Sequence, residues 1–439
     1  MTEKMKPSGM TWIGDIPQDW DIKRIEYLTS LKGRIGWQGL TSDEYIDEGP
    51  YLITGIDFQN GGINWNNCVH ISEERWAEAP EIHIQNGDLL ITKDGTVGKV
   101  AIVSGLEGKA SLNSGVLLIR TEPDFDKRFL FWVLQSEEFW TWFRLKNVGN
   151  STIIHLYQGD FAEFSYTFPN VTEQCAIADF LDAQCTKIDS VIADIEKQIE
   201  TLQKYKKSLI TEAVTKGLDQ SVPMKDSGIV WVGEIPMHWD ICRIKDTCSL
   251  ARGGSPRPIN EYLSDNPNDL NWIRIGDTVK GSKYIIRTEQ KIIKSGLSNS
   301  RLVHKGDLLL TNSMSFGQPY ILKITGCIHD GWLVFSDYCG VDKLFLYYAL
   351  MSELCYIQFK TSVAGAVVEN LNIDKVGASK IFVPPIEEQE RIVKYLDAKC
   401  EIIDEILLEK EEQLETMKQH KKSLIYEYVT GKKRVAEVN

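Results

Sequence analysis

"MKPSGMTWIGDIPQDW" (5–20) and "MKDSGIVWVGEIPMHW" (224–239) are one phrase written twice in a chain of 439 residues. The second copy begins 219 residues after the first (224 − 5), and that offset carries Trp12 to Trp231, Pro17 to Pro236, Trp20 to Trp239 and Arg24 to Arg243. It still holds at "GDLLIT" (87–92) against "GDLLLT" (306–311). Further on, "EQCAIADFLDAQC" from Glu173 matches "EQERIVKYLDAKC" from Glu388, and "KKSLI" recurs at Lys206 and Lys421, now 215 apart (421 − 206). The first half therefore carries four extra residues in between. A period of half the chain marks a tandem duplication, and every later assignment is made twice.

Outward from the phrase, each half splits by pattern. From about Trp20 to Pro169 and from Trp239 to Pro385, short β-like runs ("YLITGI", "GDLLITK", "SGVLLIR"; "NWIRIGD", "GDLLLTN", "GWLVFS") alternate with Gly, Asn, Asp and Pro turns. One helix is expected near the end of each, "DKRFLFWVLQSEEFWTWF" (126–143) and "DKLFLYYALMSELCYIQF" (342–359). Between Glu173 and Lys216, Ile188, Ile192, Ile195, Ile199, Leu202 and Leu209 fall at helical steps, with Ile403, Leu407, Leu414, Met417 and Leu424 in the second copy. Each stretch predicts one long helix, with Thr172 as N-cap of the first and Gly217 or Gly431 just past the ends. At about 1.5 Å per residue, such a rod is roughly 60 Å long. The two stripes need a partner: pairing with each other within the chain is preferred, homodimerisation the alternative. The fold class is α/β, with two α/β modules alternating with two long helices that pair as an antiparallel coiled coil in a pseudo-two-fold internal duplication. The expected boundaries are 1–170 for the leader and first module, 171–217 for the first helix, 218–386 for the second leader and module, and 387–439 for the second helix and tail.

Composition bounds the function. Residues are 43% hydrophobic and 25% charged, ordinary globular usage, and the nine cysteines show no CxxC pair, so reduced thiols are expected and no metal site. No apolar run is long enough to span a bilayer and "MTEKMKPSGM" lacks the apolar core of a signal peptide, so the expectation is a cytoplasmic protein without membrane contact. The net charge of −13 counts against a generic nucleic-acid binder, and any DNA contact must rest on local patches. "GTVGKVA" at Gly95 has the wrong spacing for a phosphate loop, and "NPND" at Asn266 lacks the aromatic residue of an amino-methyltransferase motif.

With the leader, the "GDLL(I/L)T" strand, the "PPIEEQERI" helix entry, the "LDAxC…ID" stretch and the "KKSLI…VTG" helix end duplicated in order, nearly the whole chain resembles the specificity subunit of Type I restriction-modification systems. The first half departs at "FPNVTEQ", where the Pro-rich entry is thinner than at Val383-Pro384-Pro385. The resemblance implies two target-recognition domains that read a bipartite, asymmetric DNA sequence, paired helices that set the spacer, and no catalysis by this chain. It implies double-stranded DNA, two methyltransferase subunits and, in the full complex, restriction subunits as partners. S-adenosylmethionine, ATP and Mg would then be bound by those subunits and no cofactor by this one. Two rivals stand beside it: a coiled-coil scaffold that does not read DNA, and a standalone DNA methyltransferase or nuclease with a diverged site.

Candidate DNA contacts are sought where the copies diverge beside shared strands, because Arg, Lys, Asn and Gln read base edges while Ser and Thr serve phosphates. Lys32, Arg34 and Gln38 lie in "SLKGRIGWQG", which is aligned with "LARGGSPRP" carrying Arg252, Ser255 and Arg257; Lys93, Thr96 and Lys99 follow the first "GDLL" strand, Asn312 and Ser313 the second. Asn113 is set against His329, Thr152 lies in "GNSTIIH", and Lys360 follows the module helix. For each loop the alternative is a solvated turn, and for His329 a structural histidine. Trp132, Trp140 and Trp142 are assigned to core packing, Asp88 and Asp307 to turns, and Lys204, Lys206, Lys207, Lys418, Lys421 and Lys422 to the helix dipole.

Overall fold

The computed structural model describes residues 4–35, 39–147, 155–279, 281–312, 316–364 and 370–435. It divides into two compact units: residues 1–194 with 413–439, and residues 195–412. The long helices, Val171–Lys216 and Ile386–Val429, each give one half to either unit. A unit is therefore a module plus the start of one helix and the end of the other.

In the first unit the strands β1 (Thr29–Gly33), β2 (Ile46–Ile53), β3 (Leu89–Thr92), β4 (Val100–Ile102), β5 (Ala110–Leu112) and β6 (Val116–Thr121) form the frame. An antiparallel sheet runs β4-β3-β6-β1, and β5 pairs with β2 in parallel, Ala110 opposite Tyr51. All four residues of β3 are buried, as a continuous apolar run covered on both faces should be. The second unit repeats the order with β7 (Ser249–Arg252), β8 (Leu270–Ile273), β9 (Leu308–Thr311), β10 (Pro319–Leu322), β11 (Gly326–Ile328) and β12 (Trp332–Ser336). Its sheet runs β10-β9-β12-β7, extended by Tyr284–Ile285, and β8 pairs with β11 in parallel.

The single helix expected in each module is two. Ser136 breaks the first into Lys127–Gln135 and Glu137–Lys146, because it adopts an extended conformation and its Oγ takes the Phe139 amide as N-cap. Ser352 does the same between Lys343–Met351 and Glu353–Val363. Trp132 and Trp142 are buried in the module core, as packing requires.

The first long helix starts two residues earlier than expected. Asn170, not Thr172, is its cap: the Asn170 Oδ1 accepts from the Glu173 amide at 3.0 Å, leaving Thr172 inside the first turn. A buried glutamine then fastens each helix to its module. Gln174 accepts from the Asp126 amide at 2.9 Å, and its repeat mate Gln389 from the Asp342 amide at 2.7 Å. At the other ends, Gly217 (φ +76°) and Gly431 (φ +70°) take the left-handed conformation that stops a helix. A side chain at Gly431 would meet Pro17 and the fully buried Trp20, and one at Gly217 would meet Trp239. The duplicated leader phrase thus supplies the surface on which each helix end docks.

Within each unit the helix halves run antiparallel. In the first, Phe180 packs on Tyr428 with ring centroids 4.4 Å apart, and Lys421 bridges both Asp189 oxygens at 2.6 and 2.7 Å. In the second, Lys206 bridges Asp404 at 2.5 and 2.7 Å. These are one pair in two copies, since Asp404 follows Asp189, and Lys421 follows Lys206, by the helix offset of 215 (404 − 189; 421 − 206). The lysines assigned to the helix dipole serve mainly as ion-pair partners instead: Lys207 meets Glu353 at 3.3 Å and Lys422 meets Glu137 at 3.1 Å.

Candidate nucleic-acid interface

The loops that carry the candidate residues converge on the end of β3 in one unit and of β9 in the other. In the first unit the Lys93 amide donates to Gly115 O at 2.8 Å, and the Leu156 amide to Lys93 O at 2.9 Å. In the second the Asn312 amide donates to Gly331 O at 2.9 Å, and the Leu371 amide to Asn312 O at 2.9 Å. Thr92 and Thr311 close the turns alike: their hydroxyls accept from the amides of Lys99 and Gln318, both at 2.9 Å. Gly98 and Gly317 make the left-handed bend, pressed against Trp140 and Phe359. The backbone of this site has been copied.

The side chains on that backbone differ. In the first unit Thr96 Oγ1 and Lys99 Nζ both reach the Gly55 carbonyl, at 3.4 and 3.3 Å, and His155 Nδ1 lies 2.5 Å from Asp94 Oδ1. Asn113 uses Oδ1 to hold the Ser114 hydroxyl and the Gly115 amide, each at 3.1 Å, so its carbonyl closes its own turn. Lys32, Thr96 and Lys99 are exposed and Lys93 half-buried. Arg34 points inward. It is 3% exposed, its Nε donates to Leu112 O at 2.7 Å and Nη2 to Ser111 Oγ at 2.9 Å, and burial pulls its pKa down. Such a guanidinium pins β1 to β5 and does not face a ligand.

In the second unit the basic residues stand outward around a cleft of about 1110 Å³, lined among others by Ser255, Arg257, Trp272, Arg274, His329 and Asp330. Arg252 Nε donates to Asp330 O at 2.8 Å, and Ser255 Oγ to Asp330 Oδ1 at 2.8 Å. Arg257 is exposed, its Nη2 3.8 Å from Asp330 Oδ2. The hydrogen bond from Ser255 holds the Asp330 carboxyl below the usual carboxylate range. Asn312 is buried and spends its amide on Asp330 O at 2.8 Å. His329 is an acceptor inside the wall: the Gly331 amide lies 2.7 Å from Nδ1 and the Ile275 amide 3.2 Å from Nε2, and burial lowers its pKa. Lys360 is exposed, its Nζ 5.5 Å from the Phe316 ring centre. Gln38, Thr152 and Ser313 lie outside the described residues.

Asp330, Arg274 and Trp272 were not singled out by their sequence, although two arginines in a Gly-Pro loop call for a carboxylate nearby, and Asp330 follows His329 directly. Asp88 and Asp307 are turn residues as expected, accepting from the amides of Gln85 at 2.8 Å and His304 at 2.7 Å.

The decisive comparison is with a family profile. The sequence profile of the Type I restriction modification DNA specificity domain matches twice, over residues 17–201 and 236–416. The chain belongs to this family. Both matches cover a module and most of the following helix, so this specificity chain carries the family domain in tandem. It is 26% identical, over 97% of its length and 95% of the relative's, to the Type I restriction enzyme MjaVIII specificity subunit of Methanocaldococcus jannaschii. It is 23% identical to the EcoBI specificity subunit of Escherichia coli, covering 80% of this chain and 73% of that one. Among solved structures, a chain from a study of assembly and conformational transition in the type I R-M system superposes with a TM-score of 0.69 at 16% identity, covering 94% and 98% of the two chains. That likeness concerns the fold. Among the described residues, no helix of the specificity chain is long and apolar enough to cross a membrane.

Proposed function

We propose that this chain is the DNA-reading subunit of a Type I restriction-modification complex and recognises a two-part, asymmetric target, one half-site per module. The observation that carries the reading is the pair of β3 and β9 turns: one hydrogen-bonded backbone frame with different side chains on it, Lys93 in the first and Asn312 in the second. A copied frame places donors at equivalent positions, and different side chains select different bases. The long helices set the spacer and offer their acidic faces, such as Glu409 and Glu411, for docking two methyltransferase subunits. Methyl transfer, and restriction driven by ATP, belong to the methyltransferase and restriction subunits, which bind S-adenosylmethionine, ATP and Mg; this chain contributes no catalytic residue.

DNA binding by an acidic chain has to come from local cations, so affinity must fall with salt. Lys32, Lys93 and Lys99 in the first module and Arg252, Arg257 and Arg274 in the second are those cations. The test is methylation mapping across the genome of cells that express the chain with its neighbouring methyltransferase, with and without disruption of residues 251–258. The expected result is a two-part motif of which one half alters or vanishes on disruption. If no motif depends on the chain and duplex DNA is not bound at any salt concentration, the scaffold reading replaces this one.

A further inference from the structure

Asp330 is the point at which three loops of the second module meet. Its carbonyl accepts from Arg252 Nε and from Asn312 Nδ2, both at 2.8 Å, which occupies both lone pairs. Its carboxylate accepts from Ser255 Oγ at 2.8 Å, and its own amide donates back to the same hydroxyl at 3.3 Å. The second carboxylate oxygen faces Arg252 and Arg257 at 3.9 and 3.8 Å, near enough to orient the guanidinium groups and too far to use up their N–H donors. One residue thus ties the exits of β7 and β9 to the β11–β12 turn.

The repeat mate of Asp330 is Ser114, since "LNSGV" (112–116) aligns with "IHDGW" (328–332). Ser114 has no carboxylate and donates only to its neighbour Asn113. Correspondingly, the first module has its arginine, Arg34, folded inward, and the second has Arg252 and Arg257 at the rim. The carboxylate and the outward arginines occur together.

We propose that Asp330 is a positioning residue that sets the specificity of the second half-site, presenting Arg252 and Arg257 as donors at the mouth of the cleft while Ser255, whose one hydroxyl proton it accepts, holds it in place. This rests on the reading of the chain as a DNA specificity subunit. A guanidinium fork selects guanine only when its plane is held; a loose arginine finds any phosphate, where charge alone suffices. The Asp330 carbonyl holds the Arg252 fork through Nε, and the carboxylate biases both guanidiniums by its charge and lowers the local positive potential that would reward indiscriminate phosphate contact. Asp330 touches the readers and not the bases.

Two variants separate its charge from its anchoring role. Asp330→Asn keeps an oxygen for Ser255 and removes the charge; Asp330→Ala removes both. Each is expressed as the full chain with its methyltransferase subunits, beside wild type, and the methylated motif is mapped half by half. Discrimination in the second half-site should fall by about tenfold at one or more positions in Asp330→Asn, and further in Asp330→Ala, while the first half-site stays unchanged. Non-specific duplex binding should tighten at low salt in Asp330→Asn. An unaltered second half-site in both variants overturns the inference, and so does equal loss at both half-sites, which would make Asp330 a purely structural residue. A wild-type chain that directs no motif would sink the functional reading itself and this inference with it.

Discussion

The turn after β3 and the turn after β9 are one piece of backbone used in two ways. Lys93 and Asn312 occupy the same place, each donating its amide to a glycine carbonyl, Gly115 O or Gly331 O. Yet Lys93 is half-buried, and Asn312 is buried and serves Asp330. Arg34 stands where the second module has Gly253, by the leader offset (253 − 34 = 219). Duplication preserves the hydrogen bonds that every residue type can make through its main chain, and divergence acts on side chains. A binding surface can therefore change without refolding its support.

The sharpest way to break the comparison is at Gly253. A Cβ there would sit 2.1 Å from His329 O and 2.8 Å from Ile328 O, both backbone atoms that cannot swing aside. Gly253→Ala is expected to destabilise the second unit by about 3 kcal/mol, the upper range for overpacking. In the first unit the equivalent position carries a full arginine without strain. Urea unfolding of the full chain, followed by hydrogen exchange of 326–336, measures the effect; an exchange pattern like wild type would show that the two loops are interchangeable after all.

Next in size is the contrast between inward and outward arginines. Arg34→Ala leaves Leu112 O and Ser111 Oγ without their donor in the interior, and should cost about 2 kcal/mol of stability. Arg257→Ala touches only an exposed side chain and should leave stability within about 0.5 kcal/mol, while weakening specific DNA binding by about 1–3 kcal/mol and relaxing discrimination at one position of the second half-site. Thermal melts and DNA-binding titrations on the same two proteins decide it. If Arg34→Ala weakens DNA binding and leaves the melt alone, Arg34 faces DNA and its placement is misread.

How much of this was written in the chain depends on what each feature rests on. The long helices were legible because Ile188 and Ile403 belong to stripes whose period survives any tertiary context, and Gly217 and Gly431 mark their ends by a conformation few other residues accept. The frame of β3 and β9 was legible as a repeated "GDLL" phrase. Arg34 and Arg257 were not distinguishable, since a glycine-rich loop does not encode which way a long side chain folds; that depends on whether carbonyls such as Leu112 O wait inside. The Ser136 and Ser352 breaks were hidden because the apolar pattern continues across them, and only the N-cap hydrogen bond shows the interruption. The Asp189–Lys421 and Lys206–Asp404 pairs were within reach: the offset of 215 that relates them was already known, and only the antiparallel register was missing.

The smallest expected difference between the modules is in their response to acid, and it isolates a single position. Asn113 and His329 close the same turn, but only His329 can titrate. Its ring nitrogens face the amides of Gly331 and Ile275, and accepting from either requires an unprotonated nitrogen. Burial also disfavours the charged ring, so its folded pKa lies below the ordinary 6.5, although the neighbouring Asp330 opposes part of that shift. The folded chain then binds fewer protons than the unfolded one between the lowered pKa and 6.5, so the stability His329 contributes is complete above pH 6.5 and is lost as pH falls through that window. Replacing it by the residue the first module uses, His329→Asn, should flatten the acid side of the melting-temperature profile below pH 6.5 and leave the profile above that pH parallel to wild type. Parallel profiles through the whole acid range would mean that the His329 pKa is the same in the folded and unfolded chain, and that neither burial nor the two amides disfavour its charged form.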